Sequence, residues 1–140
     1  MTKHAFLTGY TGKRTRTPAQ LLQLAINLDA VVVDSRYNPA SRWATHWNRV
    51  PMQNALGDRY LWLKDFGNSA YKDGAIRLVN PTRGLAYLDS VGITSAIILC
   101  ACADGATCHR TQVGEYLAAN GWAVREVTKE EWEGANNGLR

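Results

Sequence analysis

Two short runs, AVVVD at residues 30–34 and TSAIILCAC at residues 94–102, are apolar at successive positions rather than at alternate ones. A strand with one wet face alternates, whereas a strand covered on both faces reads as a continuous β-branched run, the pattern of a parallel sheet under helices. Parallel strands need crossovers of a dozen or more residues, usually helical, and the intervening sequence supplies them. His4 to Thr11 (HAFLTGYT) reads as a first strand ending in a turn with Gly9 and Gly12. Thr17-Pro18 then opens a helix, Thr17 as N-cap and Pro18 at the first helical position, with Leu21, Leu22, Ala25, Ile26 and Leu28 as its apolar face.

Residues 35–59 are less regular, and Ser41 is expected to cap a short helix carrying Trp43, Trp47 and Val50 on one side. Tyr60 to Asp65 reads as a third strand, and residues 66–80, with glycines and no sustained period, as a mobile loop. A helix follows from about Pro81 to Val91, and another from about Cys108 to Ala119, stopped by Asn120-Gly121. Ala123 to Thr128 is the last strand, and residues 129–140 read as an acidic, partly frayed tail. The expected class is therefore α/β, a single three-layer α/β/α sandwich with a mostly parallel sheet of about five strands and right-handed crossovers.

A length of 140 residues suits one domain with one core, and 46% hydrophobic with 20% charged residues excludes a disordered, collagen-like or coiled-coil chain. No apolar run approaches the roughly 18 residues of a membrane span, and the first residues do not read as a signal peptide. A cytoplasmic location without membrane association is the expectation, and three cysteines read as reduced thiols rather than as a disulfide framework. The net charge of +4 is unevenly spread: residues 1–83 hold 12 Lys/Arg against 5 Asp/Glu, and residues 84–140 hold 4 against 7. That asymmetry points either to an anionic ligand or nucleic acid at the front of the chain, or to scattered solvated arginines.

In such sheets ligands bind beyond the carboxyl ends of the strands. Residues 10–16, 34–38, 64–68 and 100–110 collect there. Within them Leu99-Cys-Ala-Cys-Ala-Asp-Gly-Ala-Thr-Cys-His-Arg110 joins a strand end, a small-residue loop and a helix start. The unpaired amides of that helix start form an anion site that Arg110 completes, and the same field with His109 and Arg110 favours a Cys108 thiolate. Cys108 is thus either a nucleophile or redox thiol, or a structural residue; Cys100 and Cys102 are expected to be buried as small apolar side chains. The phosphatase signature, with five residues between Cys and Arg, is absent, since seven separate Cys102 from Arg110 and nine separate Cys100 from it. A zinc site from Cys100, Cys102, Cys108 and His109 would need four converging ligands, yet Cys100 and Cys102 share one strand face and no second Cys pair exists elsewhere, so no metal is expected; no cofactor is expected either. Arg110 shares a helix face with Val113 and Leu117 and points inward, where it meets either a bound anion or a carboxylate such as Asp34.

These residues carry a resemblance. Leu99-Cys100-Ala101 through Cys108-His109-Arg110 matches an L-C-A-x6-C-H-R pattern, and Leu7-Thr8-Gly9-Tyr10-Thr11 resembles a strand-turn pattern T-[IV]-G-Y-[ST], agreeing at Gly9, Tyr10 and Thr11. Val33-Asp34-Ser35-Arg36-Tyr37-Asn38-Pro39 is similar to a V-D-V-R-x-x-P element, and Tyr60 to Gly67 to a Y-x-x-L-x-x-L-G segment with Phe66 for Leu. Over about residues 5–128 the chain resembles the bacterial and archaeal proteins grouped as domain of unknown function 488. The resemblance implies a compact α/β domain with Tyr10, Asp34, Arg36, Cys100, Cys108, His109 and Arg110 at one end of the sheet. It departs at Ser35, at Cys102 and in the tryptophan-rich stretch Trp43 to Trp47.

Gly12-Lys13-Arg14-Thr15-Arg16 follows the first strand without the Walker or dinucleotide glycine spacing. Arg36, Arg42 and Arg49 interleave with Trp43, His46 and Trp47, which suits base stacking beside phosphate, although such an i, i+4 pair is more often the buried side of a short helix. The leading expectation is an anionic, phosphorylated or nucleotide-like small molecule held by Arg110, Arg36, Tyr10, Thr11, Lys13 and Arg14. Cys108 would be the nucleophile of a hydrolase or transferase, His109 or Asp34 would move protons, and Trp43 and Trp47 would stack on a base. The second expectation is a non-enzymatic module for nucleic acid or a nucleotide signal with a structural cysteine turn; a third is a partner-binding protein using exposed tryptophans.

Overall fold

The computed structural model describes residues 2–10, 16–101 and 108–137. Its strands are β1 (Lys3–Gly9), β2 (Val31–Asp34), β3 (Tyr60–Trp62), β4 (Ser95–Cys100) and β5 (Trp122–Glu126). They form one sheet in the order β3-β2-β4-β1-β5, and every ladder is parallel. The helices are α1 (Pro18–Leu28), α2 (Arg49–Leu56), α3 (Pro81–Ser90), α4 (His109–Ala119) and α5 (Lys129–Asn137). The chain is thus a single α/β domain. Both runs that lack alternation, in β2 and β4, lie in the middle of the sheet with helices on both sides.

One core layer joins Phe6, Val32, Ile97 and Leu99 to Leu21, Leu24 and Ala25 of α1, Met52 and Leu56 of α2, and Trp132 and Ala135 of α5. The other joins Ala5, Leu7, Val33, Ala96 and Ile98 to Leu88 of α3 and to Val113 and Leu117 of α4. Alternate residues of each strand feed opposite layers, as the pleat requires. The Thr17 cap forms as expected, its side chain accepting the Gln20 amide at 3.1 Å. The face of α1 is turned, however: Leu24 is buried and Ile26 is about half exposed. Leu21, Leu24, Ala25 and Leu28 follow the i, i+3, i+4, i+7 spacing, and Ile26 falls off it.

Several expected boundaries move, among them the last strand, which runs over Trp122–Glu126 rather than Ala123 to Thr128. β3 stops at Trp62 rather than reaching Asp65, because its partner β2 ends at Asp34, opposite Trp62; a 3₁₀ turn over Lys64–Phe66 follows. Ser41 caps no helix: its Oγ accepts the amides of Trp43 and Ala44 in the loop, Ala44 and not Ser41 precedes the 3₁₀ turn (Thr45–Trp47), and α2 begins only at Arg49. The stretch read as an acidic tail contributes α5. Thr128 and Glu131 form a reciprocal capping box there, the Glu131 amide donating to Thr128 Oγ1 at 3.1 Å and the Thr128 amide to Glu131 Oε1 at 2.9 Å. Residues 66–80 are irregular but closed on themselves. Buried Asn68 donates to the Ala75 carbonyl and accepts the amides of Ala70 and Arg77, while Val79 donates back to Gly67.

Candidate functional site

Gly9 lies beside Cys100, and Asp34 beside Leu99, so the carboxyl ends of β1, β4 and β2 are level. The chain leaves β1 and β2 toward α1 and α2 on one face, and leaves β4 toward α4 on the other. Because β4 lies between β2 and β1 and its chain leaves to the opposite face, its end is the switch-point position at which such sheets bind ligands.

Asp34 closes the β2 side. It is fully buried. Its Oδ1 accepts Arg36 Nε at 2.8 Å and the Arg36 amide at 3.1 Å, and its Oδ2 accepts Arg36 Nη2 at 2.6 Å and the Tyr60 hydroxyl at 2.5 Å. Burial opposes the Arg36 charge, but the Asp34 carboxylate outweighs it and holds the guanidinium above its ordinary range. Burial and the same carboxylate keep the Tyr60 phenol protonated far above its ordinary value. An Asp34 with four donors on it holds Arg36 in place, which is a different task from the proton transfer expected of it.

Arg36 continues outward. Its Nη2 also donates to the Trp47 carbonyl at 2.6 Å and its Nη1 to the Tyr10 hydroxyl at 2.9 Å. Four of the five guanidinium hydrogens are accounted for by these bonds, and one on Nη1 has no acceptor among the described residues. Tyr10 accepts from Arg36, and its own hydroxyl hydrogen likewise meets no acceptor among the described residues. Burial raises the Tyr10 phenol above its ordinary value, partly offset by Arg36, so that hydrogen stays available. Tyr10 and Arg36 are more than nine-tenths buried.

On the β4 side, Cys108 is the N-cap of α4 and His109 its first residue. His109 Nε2 lies 2.7 Å from the Ser35 carbonyl and 3.2 Å from Ser35 Oγ. A carbonyl only accepts, so Nε2 carries the hydrogen; the Ser35 hydroxyl can accept its share because it donates its own hydrogen to the Leu99 carbonyl at 2.8 Å. The Nδ1 lone pair is then turned to Cys108 Sγ, 3.9 Å away. A thiol, a base and a group that fixes the base's tautomer are the parts of an activated nucleophile. Cys108 is buried, and His109 is the member of the pair that lines the cavity described below.

Arg110 points inward as its helix face predicts, but its carboxylate is not Asp34. Nε and Nη2 grip Glu126 at 3.2 and 2.9 Å, and Nη1 donates to Cys100 Sγ at 3.2 Å. The reason is topological: α4 leads to β5, which pairs with β1, so Arg110 is carried away from β2 and Asp34. Burial opposes its charge, while the bonds to Glu126 and Cys100 hold the guanidinium above its ordinary range. Arg16 stands near enough to be pushed below its ordinary value, by burial first and by Arg110 second. It donates to the Gly9 carbonyl at 2.5 Å and lies over the Trp132 ring.

These ends open into a cavity of about 780 Å³, within the roughly 300–1,000 Å³ usual for small-molecule sites. Tyr10, Arg36, Ala101 and His109 line it from the sheet edge, Tyr37, Asn38, Ala40, Ser41, Trp43 and Ala44 from one side, and Asn68, Tyr71, Gly74, Ala75 and Ile76 from the other. Gly67 holds the two sides together: a Cβ there would stand 2.8 Å from Tyr37 Cα and 2.9 Å from the Lys64 carbonyl oxygen.

The structure therefore brings Tyr10, Arg36 and His109 to one cavity, with Cys108 against His109 and Asp34 behind Arg36. Thr11, Lys13, Arg14 and Cys102 lie outside the described residues. The two tryptophans part company. Trp47 is buried and its ring stacks on Tyr10 at 4.3 Å between centroids, so it is core and cannot also receive a base. Trp43 is 93% exposed and lines the cavity. Other cations of the front half are used internally: Arg49 over the Trp62 ring, Arg59 on the carbonyls of Ala25 and Ala30, Arg83 on Asp65. Ser35, Tyr60, Glu126 and Asn68 were not among the expected site residues. Ser35 stood out only as a departure from a family pattern, and nothing local in the sequence marked the others.

No described helix is long and apolar enough to cross a membrane. Searches among curated proteins and among solved structures each return no match. A family model matches residues 23–117, more than half of the chain, which includes the Asp34, Cys100 and Cys108 segments but not Tyr10. With that match over a single α/β domain, the chain belongs to the family described as domain of unknown function DUF488.

Proposed function

We propose that the chain binds a small anionic molecule in the cavity at the sheet edge and carries out thiol chemistry on it. The observation that supports this reading most is the pair of donors in that cavity: Tyr10 and Arg36 are buried, both line it, and each keeps a hydrogen without an acceptor among the described residues. A buried donor left unmatched costs about 1–3 kcal/mol, so two of them favour an incoming acceptor oxygen. One of the two donors is itself the Arg36 guanidinium, which favours an acceptor that is charged.

In the chemical step, the Cys108 S–H proton passes to His109 Nδ1 as sulfur bonds to the electrophilic phosphorus or carbonyl carbon of the substrate. The leaving oxygen departs with the electrons of the broken bond and takes that proton from His109. Water or an acceptor hydroxyl then displaces the sulfur, giving up its proton to the cysteine, so the thiol is restored and no net proton is gained or lost. Asp34 takes no part beyond holding Arg36, and Arg110 holds Glu126 and Cys100 rather than the anion.

The test is calorimetric titration of the protein and its Tyr10→Phe variant with orthophosphate. The variant keeps the ring that stacks on Trp47 and loses only the hydroxyl. Binding by the native protein, weakened about tenfold in the variant, is the expected result; equal binding by both, or none by the native protein, removes the proposal.

A further inference from the structure

The cavity has two chemically different ends, and the anion reading uses only one. Arg36, Tyr10 and His109 line it at the sheet edge, and Asn38, Ser41 and Asn68 are its further polar lining. Toward the outside it is bounded by Trp43, Tyr37 and Tyr71. Trp43 is 93% exposed and Tyr71 is about half exposed, while the Tyr37 and Tyr71 rings lean together at 6.0 Å. Neither side is loosely attached: the Trp43 amide is bonded to Ser41 Oγ at 3.1 Å, and Tyr71 sits in a short 3₁₀ turn inside the loop that Asn68 closes.

Large aromatic rings left in water at the mouth of a concave site lose hydrophobic free energy that a planar ligand would recover. A bare inorganic anion would satisfy the inner donors and leave the aromatic mouth wet. A neutral aromatic molecule would cover the mouth and leave Arg36 and Tyr10 unmatched. A molecule with both parts satisfies both ends, and a cavity of about 780 Å³ admits one.

Resting on the anion reading above, we infer that the ligand carries a planar ring, held at Trp43 and Tyr71, joined to the anionic group held at Arg36 and Tyr10. This is the chemistry of a nucleoside monophosphate. Trp43 is then a specificity residue, selecting the ring, and has no part in the bond changes at the other end.

The experiment is a calorimetric comparison of orthophosphate, AMP, GMP, UMP and adenosine on the native chain and on Trp43→Ala and Trp43→Phe. At least one monophosphate is expected to bind about tenfold or more tightly than orthophosphate, the effect of one stacked base. Trp43→Ala should bring that ratio to near one, and Trp43→Phe should restore most of it. Monophosphates no tighter than orthophosphate, or a ratio unmoved in Trp43→Ala, overturn the ring site and leave the anion reading standing. Adenosine binding as tightly as AMP overturns the anion reading instead, and no binding by any of the five overturns both.

Discussion

The Asp34 carboxylate grips the Arg36 guanidinium from two residues away, Oδ1 on Nε at 2.8 Å and Oδ2 on Nη2 at 2.6 Å, with Tyr60 on the free side of Oδ2. Both partners are buried. Taking one charge from such a pair leaves the other unmatched in a poor solvent for ions. Asp34→Ala is therefore expected to lower unfolding free energy by about 3–5 kcal/mol, read from urea unfolding. Asp34→Asn, which keeps the shape and some of the hydrogen bonds, is expected to lose less. A loss below about 1 kcal/mol in Asp34→Ala would mean that the clamp contributes nothing to the fold.

Cys108 and His109 predict a reactivity pattern. Iodoacetamide is expected to alkylate Cys108 at pH 7 at least about tenfold more slowly in His109→Ala than in the native chain, the removal of a nearby base. Peptide mapping by mass spectrometry separates Cys108 from Cys100 and Cys102. Ser35→Ala keeps the carbonyl that orients His109 and should keep most of the rate. Equal rates in native and His109→Ala protein would leave Cys108 as a packing residue.

Gly67→Ala sets a Cβ against backbone on two sides, Tyr37 Cα and the Lys64 carbonyl, neither of which can swing away as a side-chain tip would. A loss of about 1–3 kcal/mol is expected, measured as a lowered urea midpoint. Because Tyr37 lines the cavity, the same variant should bind ligand more weakly even at temperatures where it is folded.

Glu131 makes stability depend on acid. Its hydrogen bonds to Arg125 in the first place, and to Thr128, hold its carboxyl down at about 2, against an ordinary 4.5. A carboxyl depressed by folding stabilises the native state above its unfolded value and loses that contribution as pH falls toward the folded one. The stability difference between native protein and Glu131→Gln is therefore expected to be largest above pH 4.5 and to vanish near pH 2. A difference that stays constant over this range would show that the Arg125 pair and the capping box do not stabilise the ionised form.

Much of the site can be read from local sequence, and the limits are instructive. Cys108, His109 and Arg110 start a helix after a buried strand, so their place at the sheet edge follows from chain order. Trp43 and Trp47 have the spacing of one helical face, yet one is exposed and the other buried, because the segment folds as a 3₁₀ turn that slides Trp47 over Tyr10. α5 was legible in principle. Thr128 and Glu131 have capping-box spacing, and Trp132 and Ala135 stand three apart, but the acidic neighbours and Gly134 weaken the helical pattern.

Local chemistry settles which segments are strands, which are helices and at which edge the reactive residues gather, because hydrophobic period, caps and chain order act over a few residues. Partner choice is not local. Whether Arg110 meets Asp34 or Glu126 depends on β5 pairing with β1 across the sheet, and the cavity needs the stretch after β2, around Trp43, and the stretch around Tyr71 to meet over the ends of β1 and β4, far from both in the chain. Those contacts arise from packing the whole domain, where burial forces each charge to find whichever opposite charge the topology brings near.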